Sequence, residues 1–167
     1  MSDIPAPAVA AATLDLLRET FEGPRGPSTH YLDNDRNAGY LPAIAALSAA
    51  EASRPTRSGG ATIAGHVNHV SFGLEVSGAW LRGDRAPRDW NESWLIRSVD
   101  DPAWQELQRE LRRRYEALAA TVEASGESDA PDVGAAIAAI AHAAYHLGAV
   151  RQAIAAGAAT SKAAATA

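Results

Sequence analysis

Five histidines carry most of the chemistry this chain can offer: His30, His66, His69, His142 and His146. His142 and His146 are four residues apart, so on a helix they project from one side, one turn above the other. Two imidazoles so placed can share a metal ion. His66 and His69 compete for a third position on an earlier segment. His69 is the favoured ligand, because Gly65 and Gly73 lie one turn to either side of it and leave the room that open coordination positions need. His66 borders an apolar stripe and is the fallback ligand, or a group that orients one. A structural reading competes with both, since H-x-x-x-H alone is a weak signal in an Ala-rich helix. Against it, the segment around His142 and His146 offers the rings no Asp, Glu, Ser, Thr, Asn or Gln, only Tyr145 on an adjoining side. Burying each ring unpaired costs about 1–3 kcal/mol, and one shared cation removes that cost for all of them.

Three neutral imidazoles leave a divalent ion its full charge and an open position. Such a centre can lower the pKa of a bound water to about 7, or take up a thiol as thiolate. Either supplies a nucleophile to a chain that has no cysteine of its own. Glu75, Glu92, Asp33 and Asp35 are the candidate general bases, although each taken singly reads as a solvated surface carboxylate. Tyr31, Trp94 and Tyr145 are candidate pocket residues. Trp104 and Tyr115 read as core.

The elements that position these groups are helical. Leu14, Leu17 and Phe21 place a first helix over about 5–21, which Gly23-Pro24 ends. Residues 23–39 form a long loop containing His30 and Tyr31, and a short helix follows from Tyr40. A second long helix spans about 61–81, with Thr62 as its cap and Ile63, Val67, Val70, Leu74 and Leu81 as its stripe. Residues 83–99, with Trp90 and Trp94, form the second long loop. A third long helix opens with Asp101 as cap and Pro102 in its first turn, and buries Trp104, Leu107, Leu111, Tyr115, Leu118 and Val122. The fourth runs from after Asp132 to about Ala156. From Val133 to Val150 its only polar side chains are His142, Tyr145 and His146, so it is expected to be the central, most buried element. The fold class is therefore all-α: a four-helix bundle with one short extra helix and two long loops. One domain covers 1–156, and 157–167 is an Ala-rich tail expected to fray.

Composition narrows the function. The chain has 167 residues, 15 Lys+Arg against 20 Asp+Glu, a net charge of -5, and no cysteine. Disulfides, Cys-ligated zinc, iron–sulfur clusters and thiol nucleophiles are excluded. The acidic balance speaks against nucleic acid as a partner. No run approaches the roughly 20 apolar residues of a membrane span, and the N-terminus lacks a signal-peptide pattern. A cytoplasmic protein without membrane attachment is expected.

Two stretches, "TIAGHVNHVSFGLE" at 62–75 and "AHAAYHLGAVRQ" at 141–152, resemble the DinB superfamily, the DinB/YfiT-like metalloenzyme bundles. The resemblance implies a four-helix bundle in which His69, seven residues beyond Thr62, joins His142 and His146 as metal ligands. It departs after the last histidine, where Leu147-Gly148-Ala149 stands in place of the family's Arg and Gly-Gln, and Arg151-Gln152 comes later. The family implies zinc or nickel, a homodimer, and a small-molecule substrate, with a low-molecular-weight thiol as co-substrate in some members. The expected function is a divalent-metal-dependent enzyme of thiol-transferase or hydrolase type. The alternative is a non-catalytic metal- or ligand-binding bundle, a sensor or accessory protein.

Overall fold

The computed structural model describes residues 5–56, 60–125 and 133–165, and these are helical throughout their regular parts. Four long helices form the bundle: α1 (Ala6–Glu22), α4 (Ile63–Leu81), α5 (Asp101–Ser125) and α6 (Val133–Ala165). Two short helices, α2 (Tyr40–Ala45) and α3 (Ala49–Ala52), lie between α1 and α4. The sequence reading holds only one short helix there. The second is nucleated by a capping box in which Ser48 and Glu51 satisfy each other's backbone N–H groups. Helices α1 and α4 each pack against both α5 and α6, so α1 and α4 stand on one diagonal of the bundle.

Local chemistry sets the ends of the helices. The Thr62 hydroxyl accepts from the Gly65 N–H and opens α4. At α5 the capping carboxylate belongs to Asp100, which accepts from the Ala103 N–H at 2.9 Å, and not to Asp101, which is already helical. The expected stripe of α5 is buried at Trp104, Leu111, Tyr115, Leu118 and Val122. Trp104 donates its indole N–H to the Leu47 carbonyl at 2.7 Å, and Phe21 stacks between Tyr40 and Tyr115. Both aromatic residues assigned to the core are therefore core.

The most buried helix is α4 rather than α6. Fourteen of the 19 residues of α4 are buried, whereas α6 exposes Ile137 (53%), Tyr145 (75%), Ala138, Ala141 and Gly148. The expectation failed because burial free energy scales with apolar area. An alanine methyl contributes little area, so a helix that is about half alanine has less to gain from being covered. Alanine does have the highest helix propensity, and α6 continues to Ala165, past the end expected near Ala156. The residues placed before α6, Asp129, Pro131 and Asp132, lie outside the described residues, as do the last two of the tail. Among the described residues no helix is long and apolar enough to cross a membrane.

The first long loop is a closed one. Gly23 ends α1 with φ 87°, and a Cβ on Gly39 would lie 2.2 Å from the Gly23 nitrogen, so only glycine lets the two ends of the loop meet. Inside the loop, the buried carboxylate of Glu19 accepts the backbone N–H groups of His30, Tyr31 and Leu32 at 2.7–2.9 Å. Burial raises its pKa, but the three donors outweigh that and hold it below the usual range. Glu19→Ala strands three N–H groups and is expected to lower stability by about 2–3 kcal/mol in urea unfolding. An unchanged midpoint would show that the loop finds other partners.

Candidate metal centre

Helices α4 and α6, which pack against each other, bring four histidines together. The Nε2 atoms of His69 and His142 are 2.9 Å apart, and those of His142 and His146 are 3.1 Å apart. Two nitrogens each ~2.1 Å from one ion stand about 3.0 Å apart at a right angle and about 3.4 Å apart at the tetrahedral angle. These two spacings match the shorter edge, and the ligand atoms of all three histidines lie within 4.8 Å of one another. Among the described residues, these three histidines form the one group able to share an ion, and no carboxylate joins it. His69 and His146 are buried and His142 is half-buried, so the cluster opens to solvent on the His142 side.

His66 is buried beside this group and outside it. Its Nδ1 lies 2.9 Å from Nδ1 of His146, on the side of that ring away from His142, and its Nε2 lies 3.4 Å from Thr56 Oγ1. Of the two histidines competing on α4, it is His69 that stands with His142 and His146.

The second long loop covers the cluster. Its short 3-10 turn, Glu92–Trp94, packs on α4. Trp94 stacks on His69, with centroids 3.9 Å apart, and meets His66 and His146 edge-on. Trp90 stands edge-on to His69, Phe72 and His142. Ser93, buried between the two tryptophans, donates its hydroxyl to the Trp90 carbonyl at 2.6 Å and lies 2.6 Å from His69 Nδ1. With its own proton committed, the hydroxyl accepts from Nδ1–H of His69, which leaves the lone pair of His69 on Nε2, facing the other rings. Asn68 holds this loop in place by donating to the Ser93 carbonyl at 2.8 Å.

The remaining expected residues divide. Tyr145 stands at the rim, its ring 5.0 Å from that of His146 and mostly exposed. Tyr31 is anchored to α1 through its hydroxyl and Thr20, and among the described residues it takes no part in the ring contacts around the histidines. Of the candidate bases, Glu75 pairs with Arg114 and Asp33 with Arg151, Asp35 accepts from the Asn37 N–H, and Glu92 is exposed. The flanking glycines also differ in role. A Cβ on Gly73 would lie 2.8 Å from His142 Nδ1, so Gly73 makes room for that ring, whereas Gly65 gives way to the Ile96 carbonyl. Ser93 and Thr56 escaped the sequence reading; a place among the three polar residues between two loop tryptophans is the only trace the first leaves.

Burial lowers the pKa of all four imidazoles. His69 is pushed down to about 4 and His146 to about 3, with the positive charge that neighbouring rings would carry adding to the effect of burial. At neutral pH the rings are neutral and available as ligands.

The model of the DinB superfamily matches residues 32–154, and the chain belongs to that superfamily. Comparison with curated proteins and with solved structures finds no match.

Two outcomes follow from this geometry. Unfolding exposes the rings to protonation near their ordinary pKa of 6.5, while the fold resists it. Metal-free protein therefore keeps its full stability above about pH 6.5 and loses it as pH falls toward 4 and 3. Urea midpoints at pH 7 and pH 5 should show this loss, and His146→Leu should reduce it; an equal loss in both proteins would contradict the assignment. Gly73→Ala should displace the His142 ring and weaken zinc binding about tenfold in a chelator competition. Unchanged affinity would show that the ring has room to spare.

Proposed function

We propose that the protein is a divalent-metal-dependent enzyme acting on a small molecule, and that among such reactions it transfers a low-molecular-weight thiol. The observation that carries this reading is the gathering of three neutral imidazoles, two buried and one half-buried, with ligand atoms within 4.8 Å of one another and no carboxylate among them. His69, His142 and His146 would hold the ion, and the chemistry of an all-imidazole donor set suits zinc or nickel. When bound, the ion supplies an undiminished positive charge that lowers the pKa of a water or thiol placed against it.

What the chain itself adds decides between hydrolysis and thiol transfer. Metal-dependent hydrolysis commonly uses a carboxylate as base, and the candidates here are either paired with arginines or set in the loops. A thiol, with an ordinary pKa near 8.5, loses its proton beside a cation without that help. Trp90 and Tyr145, both exposed in part around the His142 opening, offer apolar faces on which an uncharged electrophile can rest. The same lack of a base favours the second reading, a bundle that binds a metal or ligand without turnover.

Metal analysis of purified protein tests the first half of the proposal: about one equivalent of zinc or nickel in the wild type and a loss of most of it in His142→Ala. Equal, negligible metal in both would leave the histidines structural. A panel of small electrophiles, assayed with and without low-molecular-weight thiols on zinc- and nickel-loaded protein, tests the second half. Turnover that requires both metal and thiol is expected; full metal loading without turnover across the panel would favour the binding reading.

A further inference from the structure

We infer that His66 is a positioning residue that holds His146 in its metal-ligating tautomer, and that the backbone carbonyl of Ala61 sets this choice through Thr56. The inference rests on the three-histidine reading above. A neutral imidazole carries one proton and one lone pair. His146 can present its Nε2 lone pair to His142 only if its proton sits on Nδ1, and that atom faces His66 Nδ1 at 2.9 Å. One of these two Nδ1 atoms must donate and the other accept. Which does so follows from the far end of the chain of contacts.

Thr56 Oγ1 lies 3.0 Å from the Ala61 carbonyl oxygen and 3.4 Å from His66 Nε2. A carbonyl only accepts, so the shorter contact commits the Thr56 proton to Ala61. The hydroxyl then meets His66 as an acceptor, which places the His66 proton on Nε2 and its lone pair on Nδ1. His146 must donate Nδ1–H to that lone pair, and its Nε2 is left bare toward His142 and His69. The opposite direction would put a proton on His146 Nε2, where an ion would have to bind.

The anchor is held by local contacts. The Thr56 N–H also donates to the Ala61 carbonyl, at 2.8 Å, and an antiparallel bridge joins Pro55 to Thr62, the residue that caps α4. These contacts of Thr56 and Pro55 with Ala61 and Thr62 thus fix the hydroxyl against which His66, one turn into the helix, is oriented. His69 obtains the same result independently from Ser93 and the Trp90 carbonyl. Two of the three rings therefore end in a hydroxyl-to-carbonyl relay rather than in the carboxylate often found behind a metal-bound histidine.

The test measures zinc affinity by chelator competition for the wild type, His66→Leu, His66→Asn and Thr56→Val, with the ring proton positions of metal-free wild type read by long-range nitrogen–proton NMR. Leucine fills the site without an acceptor, while the asparagine carbonyl falls where ring Nδ1 does. We expect His66→Leu to bind zinc 10–100-fold more weakly and Thr56→Val about tenfold more weakly, His66→Asn to recover most of the loss, and the His146 proton to sit on Nδ1. Wild-type affinity in folded His66→Leu, no rescue by His66→Asn, or a His146 proton on Nε2 would each overturn the positioning role while leaving the three-histidine centre standing. A wild type that takes up no zinc would overturn both.

Discussion

Three imidazole Nε2 atoms meet with spacings of 2.9 and 3.1 Å about His142. The single proton that a neutral His142 ring could place on its Nε2 serves only one of its two neighbours, whereas a cation among them serves all three. A proton is a poor answer here, because burial disfavours the imidazolium form of each ring. The bundle therefore holds the rings in an arrangement that a divalent ion can satisfy. Much of the surrounding structure can be read as the means of keeping them there.

The rings come from two helices that pack side by side, and each contact around them restrains one degree of freedom. Gly73 lets the His142 ring approach α4. Trp94 lies flat on His69, and Ser93 fixes which of its nitrogens bears the proton. His66 performs that service for His146. The first long loop takes no part in this: Glu19 ties it to α1, and its histidine and tyrosine stay with that helix. One of the two long loops thus belongs to the site and the other to the fold.

The helices were legible because their apolar side chains repeat at helical spacing and their starts carry recognisable caps, as at Thr62 and on the buried stripe of α5. The spacing of His142 and His146 and the small residues around His69 were enough to bring three of the four clustered histidines to one candidate site. What stayed hidden depended on distance in space rather than along the chain. Ser93 and Thr56 are ordinary loop residues until the fold sets them against imidazoles 24 and 10 positions away. The burial of α6 was overestimated because hydropathy counts alanine as apolar without weighing how little surface it removes from water.

X-ray absorption at the metal edge of zinc-loaded protein tests the central claim most directly, since imidazole rings scatter in a pattern distinct from carboxylate or water. The account predicts three imidazole nitrogens at about 2.0–2.1 Å, with the remaining coordination filled by oxygen that does not come from the protein. A spectrum showing one imidazole or none, or a shell made of oxygen alone, would contradict it.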